Sequence, residues 1–157
     1  MILVADSSAL IALAACDALD LLEKLFGRVV VPEAVFREIN CGGKGQADQL
    51  YGFLDGKVVP IDPAHPALLD GFCDPGEAEA MVLYHQLRAD RLLIDDRRGR
   101  RMAKINRITI IGSLGTLLAA KRAGLIPEVK PRIHAMMDAG IHISPALMAM
   151  VLESSGE

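Results

Sequence analysis

The sequence predicts an α/β fold with a central, mostly parallel sheet of about five strands flanked by helices. Two observations carry this expectation. Short apolar runs rich in β-branched residues alternate with longer segments of helical period. Each short run is also closed by a polar residue, a proline or a glycine, and is too short to be a helix.

The strands are expected at Ile2 to Ala5, Val29 to Val31, Val58 to Ile61, Arg91 to Ile94 and Ile108 to Ile111. The third, beside Pro60 and Pro63, reads as an edge strand because proline cannot donate to a ladder. Helices are expected at Ala9 to Ala15, Ala18 to Leu25, Glu33 to Ile39, Gln46 to Leu54, Pro75 to Leu87, Gly99 to Ile105 and Leu114 to Ala123, with two more after Val129. Pro32 and Pro75 stand where a first-turn proline is tolerated, Asp74 is an N-cap candidate, and Gly124 is placed to end the helix carrying Lys121 and Arg122. Cys41 to Gly45 reads as a flexible loop; its Gly-Gly-Lys-Gly is not followed by Ser or Thr as a P-loop requires. The chain is expected to be one domain over 1–157, with the helices from about 128 appended to it.

A chain of 157 residues, 52% hydrophobic with a net charge of -3, fits one soluble globular domain. Its longest uncharged stretches, Ile108 to Ala120 and Ala139 to Leu152, fall short of the ~18–20 residues of a membrane span. Met1 to Val4 has no basic n-region and Asp6 interrupts the apolar run, so no secretory signal is expected and the cytoplasm is the default location. Cys16, Cys41 and Cys73 form no CxxC pair, which argues against a zinc knuckle or a disulfide framework. His65, His85, His134 and His142 lack the spacing that would place two imidazoles on one helix face.

The acids form the informative pattern. Asp6 directly follows the first strand and the doublet Asp95-Asp96 follows the fourth, and carboxyl ends of strands are where open α/β sheets bind ligands. Glu38, late in the helix after the second strand, and Glu77, in the first turn of the helix before the fourth, can reach the same edge. Carboxylates gathered there repel unless a cation sits among them, and an all-oxygen set suits Mg2+ or Mn2+ rather than zinc. Each acid has a structural explanation of its own: Asp74-Pro75-Gly76-Glu77 is a variant of the capping box, Glu79 fits a solvated helix face, and Asp95 or Asp96 could start the next helix. Asp6 is harder to explain that way, because a charge directly after an apolar strand lies near buried surface and needs a partner.

Charge is distributed unevenly. Residues 1–96 hold 7 basic and 16 acidic side chains, whereas residues 97–127 hold 8 basic and no acidic ones. The basic run begins directly after the Asp95-Asp96 doublet with Arg97, Arg98, Arg100, Arg101, Lys104 and Arg107, placing cations where a phosphodiester beside a carboxylate-bound metal would need them. Gly112-Ser113-Leu114-Gly115 opens a helix whose N–H groups are candidates for a phosphate oxygen. Part of the basic run can equally be a solvated face or pair with the acidic half. Aromatics, at 4%, are too few for a base-stacking platform.

These segments together resemble the PIN-domain nucleases, and within them the VapC-like bacterial and archaeal branch long labelled a domain of unknown function. The resemblance rests on Val4-Ala5-Asp6-Ser7-Ser8-Ala9-Leu10-Ile11, Val31-Pro32-Glu33-Ala34-Val35 with Glu38, Asp74-Pro75-Gly76-Glu77-Ala78-Glu79-Ala80, Leu93-Ile94-Asp95-Asp96-Arg97-Arg98-Gly99-Arg100 and Ile111-Gly112-Ser113-Leu114-Gly115. It implies a PIN fold whose acids hold Mg2+ or Mn2+ and hydrolyse RNA phosphodiester bonds. Carried over, the catalytic acids are Asp6, Glu38, Glu77 and Asp96, with Asp6, Glu77, Asp95 and Asp96 as metal ligands, the last two being alternatives. Ser8 and Ser113 are supporting positions and Glu79 an alternate for Glu77, while Arg97, Arg98, Arg101 and Lys104 grip the RNA backbone. The resemblance implies chemistry without a covalent protein nucleophile, in which the cation would activate a water for in-line attack on phosphorus. The resemblance further implies a toxin of a toxin–antitoxin pair, with an antitoxin protein as partner.

Other readings fit less well. Aspartate-nucleophile phosphotransferases want a second Asp two residues after the first, where Ser8 stands; a response-regulator receiver wants an acidic pair after its first strand. A nicotinamide-binding domain needs a GxGxxG that the chain lacks, so no nucleotide cofactor is expected. A PIN-like module that binds RNA or protein without cutting is the alternative from another class. Met136, Met137, Met148, Met150 and Val151 form an adaptable apolar stripe that is either core or the face of a homodimer.

Overall fold

The computed structural model of the chain describes residues 1–41, 46–62 and 74–157, the side chain of Cys41 excepted. The elements run β1 (Ile2–Ala5), α1 (Ser7–Ala15), α2 (Asp20–Phe26), β2 (Arg28–Val30), α3 (Glu33–Cys41), α4 (Ala47–Leu54), α5 (Pro75–Leu87), β3 (Arg91–Leu93), α6 (Arg97–Ile105), β4 (Ile110–Ile111), α7 (Ser113–Arg122), α8 (Lys130–Asp138) and α9 (Pro145–Ser155). Strand order is β2-β1-β3-β4 and every pairing is parallel. In register, Leu3 lies between Val29 and Arg91, and Ala5 pairs Leu93.

Alternation along the strands divides the core in two. Leu3, Ala5, Val29, Val31 and Leu93 face a layer built with Leu10 and Leu13 of α1, Leu22 of α2 and Leu117 of α7. Ile133 and Met136 of α8 and Val151 of α9 belong to that same layer. Val4, Val30, Leu92 and Ile94 face the other side, against Ala80, Met81 and Leu83 of α5 and Ala103 of α6. Strands buried on both faces are what parallel sheets require, and they explain why β1 reads as an uninterrupted apolar run. Central β1, paired on both edges, delivers its next residue, Asp6, to the carboxyl edge of the sheet.

The α/β architecture and the parallel sheet stand as expected, with one correction: the described residues form four strands, and the run Val58 to Ile61 is not a fifth. Val58 makes a single parallel bridge to Val31, and the Val59 N–H donates to the Val31 carbonyl at 2.9 Å. Pro60 then has no N–H to continue the ladder, and the Asp62 N–H turns to Gln86 Oε1 at 2.6 Å instead. The last strand shrinks to Ile110–Ile111, following Arg107 in a left-handed conformation at φ 58°. Helices α1 and α6 each start two residues before their expected first turns, the second because the Asp96 carboxylate caps the Gly99 N–H at 2.8 Å.

Glu157 ties α7, α8 and α9 together. Its carboxylate accepts the N–H groups of Val129 at 2.8 Å and Lys130 at 3.1 Å and meets Lys121 Nζ at 2.9 Å. Those bonds, the Val129 amide foremost, hold it down to about 2. Of the methionine stripe, Met136 and Val151 are core while Met137 and Met150 are exposed. No helix among the described residues is long and apolar enough to cross a membrane. Of the expected loop Cys41 to Gly45, Cys41 is instead the last residue of α3, and residues 42–45, together with Pro63, His65 and Cys73, lie outside the described residues.

Candidate metal centre

Asp6 anchors the centre. It follows β1 directly, its backbone N–H donates to the Leu93 carbonyl at 2.9 Å, and only 2% of the residue is exposed. The Ser8 hydroxyl donates to Oδ2 at 3.2 Å. Oδ1 is buried and has no hydrogen-bond partner. A carboxylate oxygen left so costs on the order of several kcal/mol unless something positive or a proton reaches it. Burial foremost, then the nearby charges of Asp74 and Glu38, push Asp6 up to about 6, against the pull of the Ser7 amide and the Ser8 hydroxyl.

The α5 amino terminus supplies the next acids. Asp74 caps the helix by accepting the Glu77 N–H at 2.8 Å, and Pro75 occupies the first turn, where its missing N–H costs nothing. Glu77 faces inward from that first turn: the residue is 5% exposed and its carboxylate lies against Gly99 near the start of α6. Burial first, then Asp74, a hydrogen bond shared with Asp96, and the charges of Asp96 and Asp6 raise Glu77 to about 8. Glu38 approaches from α3. Its Oε2 accepts the Ser7 hydroxyl at 2.9 Å and its Oε1 the Gly76 N–H at 3.0 Å. Glu38 is raised as well, through burial and the Asp74 charge, while the Ser7 and Gly76 bonds oppose the rise.

The structure thus brings Asp6, Glu38, Glu77 and Asp96 together and adds Asp74. It does not bring Glu79 or Asp95 with them. Glu79 lies two helical residues beyond Glu77, roughly 200° around the axis, and its Oε2 accepts the Ala34 N–H at 2.9 Å, with Arg37 at 3.9 Å. Asp95 points to α7, where Ser113 donates its N–H at 2.7 Å and its hydroxyl at 2.6 Å. The α7 amino terminus, a candidate for a phosphate oxygen, therefore carries the Asp95 carboxylate instead. Arg97, Arg98, Arg101 and Lys104 all lie exposed on α6, whose buried residues are Gly99 and Ala103.

Asp74 and Ser7 join the site without having been singled out for it. Asp74 is legible as a cap, and the missed signal is that a cap placed three residues before Glu77 must lie beside it. Ser7 gives no such signal, since only the fold places its hydroxyl against Glu38, 31 residues on.

Glu77 shares a hydrogen bond with Asp96 and Glu38 with Asp74, while Asp74 also acts on Glu77 and on Asp6. Among the described residues, no three His, Cys, Asp or Glu side chains stand close enough as oriented to grip one ion. The donor set nevertheless fits a hard divalent cation. Every donor is oxygen, the carboxylates are held at their bases by caps and strand ends, and the buried Oδ1 of Asp6 lacks a partner.

Gly76 is glycine for this reason: a Cβ there would run into the Glu38 carboxylate. Gly76→Ala is expected to push the Glu38 side chain aside while leaving the fold intact, because alanine suits the helix by up to ~1 kcal/mol and a carboxylate at the end of a flexible chain can swing away. Calorimetric Mn2+ titration should then show roughly tenfold weaker binding, with the melting temperature of the metal-free protein unchanged or slightly higher.

Comparison with known proteins identifies a family. A family model described as a PIN domain, and labelled a domain of unknown function, matches residues 2–157. No curated protein and no solved structure matches the chain.

Proposed function

The chain belongs to the PIN-domain family, and from that premise we propose that it is a ribonuclease hydrolysing RNA phosphodiester bonds with Mg2+ or Mn2+. PIN domains are in general nucleases that act on nucleic acid and use divalent metal ions. The observation that carries the reading is the buried Asp6 carboxylate, unpartnered at Oδ1 and flanked by two further pairs of acids. A buried carboxylate oxygen with no protein donor among the described residues, beside further acids, is a position that a cation would stabilise.

In this reading Asp6, Glu77 and Asp96 would turn their carboxylates onto the cation, closer than they stand without it, and Glu38 and Asp74 would hold its hydration. When bound, the cation lowers the pKa of the attacking water and offsets charge developing on the phosphate oxygens. The protein's own contributions are positional. Ser8 orients Asp6, and Ser7 with the Gly76 amide orients Glu38. Asp96 is held by the first turn of α6, so the acid and the cations of Arg97, Arg98, Arg101 and Lys104 share one rigid element on which the RNA backbone lies.

The same reading gives the chain a cytoplasmic place of work and the toxin role of a toxin–antitoxin pair. It also pairs the chain with a second copy through Met137 and Met150, exposed by 42% and 61%; a monomer mass by light scattering removes that part. The test of the activity is a mixed panel of fluorescent RNAs incubated with purified protein and Mg2+, Mn2+ or EDTA. Cutting with either cation and none in EDTA is expected. Cutting that survives EDTA overturns the proposal.

A further inference from the structure

Beside the acids, a cleft of about 480 Å3 opens between β4, α7 and the α8–α9 corner. It is distinct from the cation site, yet its mouth is lined by Asp95, the chain neighbour of Asp96. Its walls are apolar: Ile111, Leu118, Met136, Ile143 and Leu147. Its polar groups gather at Asp95, Arg100, Ser113 and His142.

The cleft lining carries one cation, Arg100, beside the carboxylate of Asp95, whose charge is solvated by Ser113 but not removed. Both Asp95 oxygens are taken by Ser113, and a Cβ on Gly112 would stand 2.9 Å from Asp95 Oδ1 and 3.0 Å from Arg100 Nη1, so guanidinium and carboxylate sit over the same backbone. Arg100 is exposed and belongs to α6, the helix that carries the other cations past Asp96. A ligand that suits this lining has an apolar body for the walls, a polar edge for His142, and an anion for Arg100. The size lies within the ~300–1,000 Å3 of clefts that take small organic groups. A protein segment suits it less, because main-chain amides would meet side-chain walls with few polar partners.

We propose that this cleft is a nucleotide subsite, which takes the base of a residue flanking the scissile phosphate while Arg100 binds that residue's phosphate. The inference rests on the ribonuclease reading for its place in catalysis, and it makes the cleft the source of base preference. Arg100 thereby separates from Arg97, Arg98, Arg101 and Lys104: those bind any backbone, whereas Arg100 registers one nucleotide against the apolar walls.

The test has two arms, so that failure of the nuclease reading and failure of the subsite are distinguishable. In the first, methyl NMR of the Ile, Leu and Met side chains follows titration with the four nucleoside 5′-monophosphates, without metal. Shifts at Ile111, Leu118, Ile143 and Leu147 that differ between bases are expected, weakened roughly tenfold in Arg100→Gln and lost in Leu147→Trp. Leu147 lies at the rim, 39% exposed, so the indole is expected to fill the cleft without unfolding the core. In the second arm, cleavage products of a randomised RNA pool are sequenced. A base preference at one position beside the cut is expected, with the ratio of favoured to disfavoured bases falling toward one in Leu147→Trp. Methyl shifts without any cleavage support the subsite and sink the nuclease reading. Cleavage with no methyl shifts and an unchanged preference in Leu147→Trp overturns the subsite. Cleft shifts that follow protein concentration rather than nucleotide also overturn it, in favour of a second copy of the chain.

Discussion

Asp6→Asn should abolish metal-dependent RNA cleavage, by roughly 10²–10³-fold or more, which is about 3–4 kcal/mol of transition-state stabilisation. The substitution is nearly isosteric, so the Leu93 strand contact and the Ser8 bond can persist while the charge disappears. Its second effect has the opposite sign. Asp6 rises from 3.8 to about 6 on folding, so keeping it ionised above that pH costs the metal-free protein roughly 3 kcal/mol. Asparagine removes that cost, and its amide can donate to the neighbouring carboxylates. Scanning calorimetry in EDTA at pH 8 should therefore find the variant melting higher by roughly 5–10 °C. A loss of both activity and stability would mean that Asp6 is a structural residue and would remove the basis for a cation site.

Metal-free protein should lose stability as pH rises from about 4 to 8, and Mn2+ should restore it. The sign follows from two groups. Asp6 and Glu77 ionise at 3.8 and 4.5 in the unfolded chain, and at about 6 and about 8 in the folded one. The unfolded state thus gives up its protons first. Stability is complete below the unfolded values and is lost as pH climbs through the folded ones. A cation takes the place of the protons, so excess Mn2+ at pH 8 should raise the melting temperature by several degrees, with about 2.7 kcal/mol available at a hundredfold excess over Kd. Glu77→Gln should flatten the upper part of the pH curve. A melting temperature indifferent to pH and to Mn2+ across this range would defeat the prediction.

Much of this was legible in the chain, and the boundary of legibility has physical causes. β1 and the position of Asp6 could be read because four apolar residues followed by a charge fit a strand end and little else. Val58 to Ile61 misled because β-branched content records suitability for a strand and not whether a partner continues the ladder past Pro60. The choice between Asp95 and Asp96 lay beyond the sequence: adjacent residues leaving a strand turn to opposite sides, and only the cap at Gly99 and the bonds at Ser113 decide which carboxylate goes where. Glu79 was decidable, since helical geometry alone turns it away from Glu77. Asp74 was visible as a cap, but its second role depends on α3 carrying Glu38 to the same helix end.

The backbone bond from Asp6 to Leu93 has a consequence for how this protein tolerates change. It fastens the central acid to β3, which like β1 has neighbours on both sides, in the part of a parallel sheet whose amides exchange with solvent only when the whole domain opens. Substitutions elsewhere in the core should therefore alter how many molecules are folded without altering the geometry at Asp6 in those that are. Turnover per folded molecule would stay constant while abundance drifts, so damage to the core and damage to the site should register as two separate quantities.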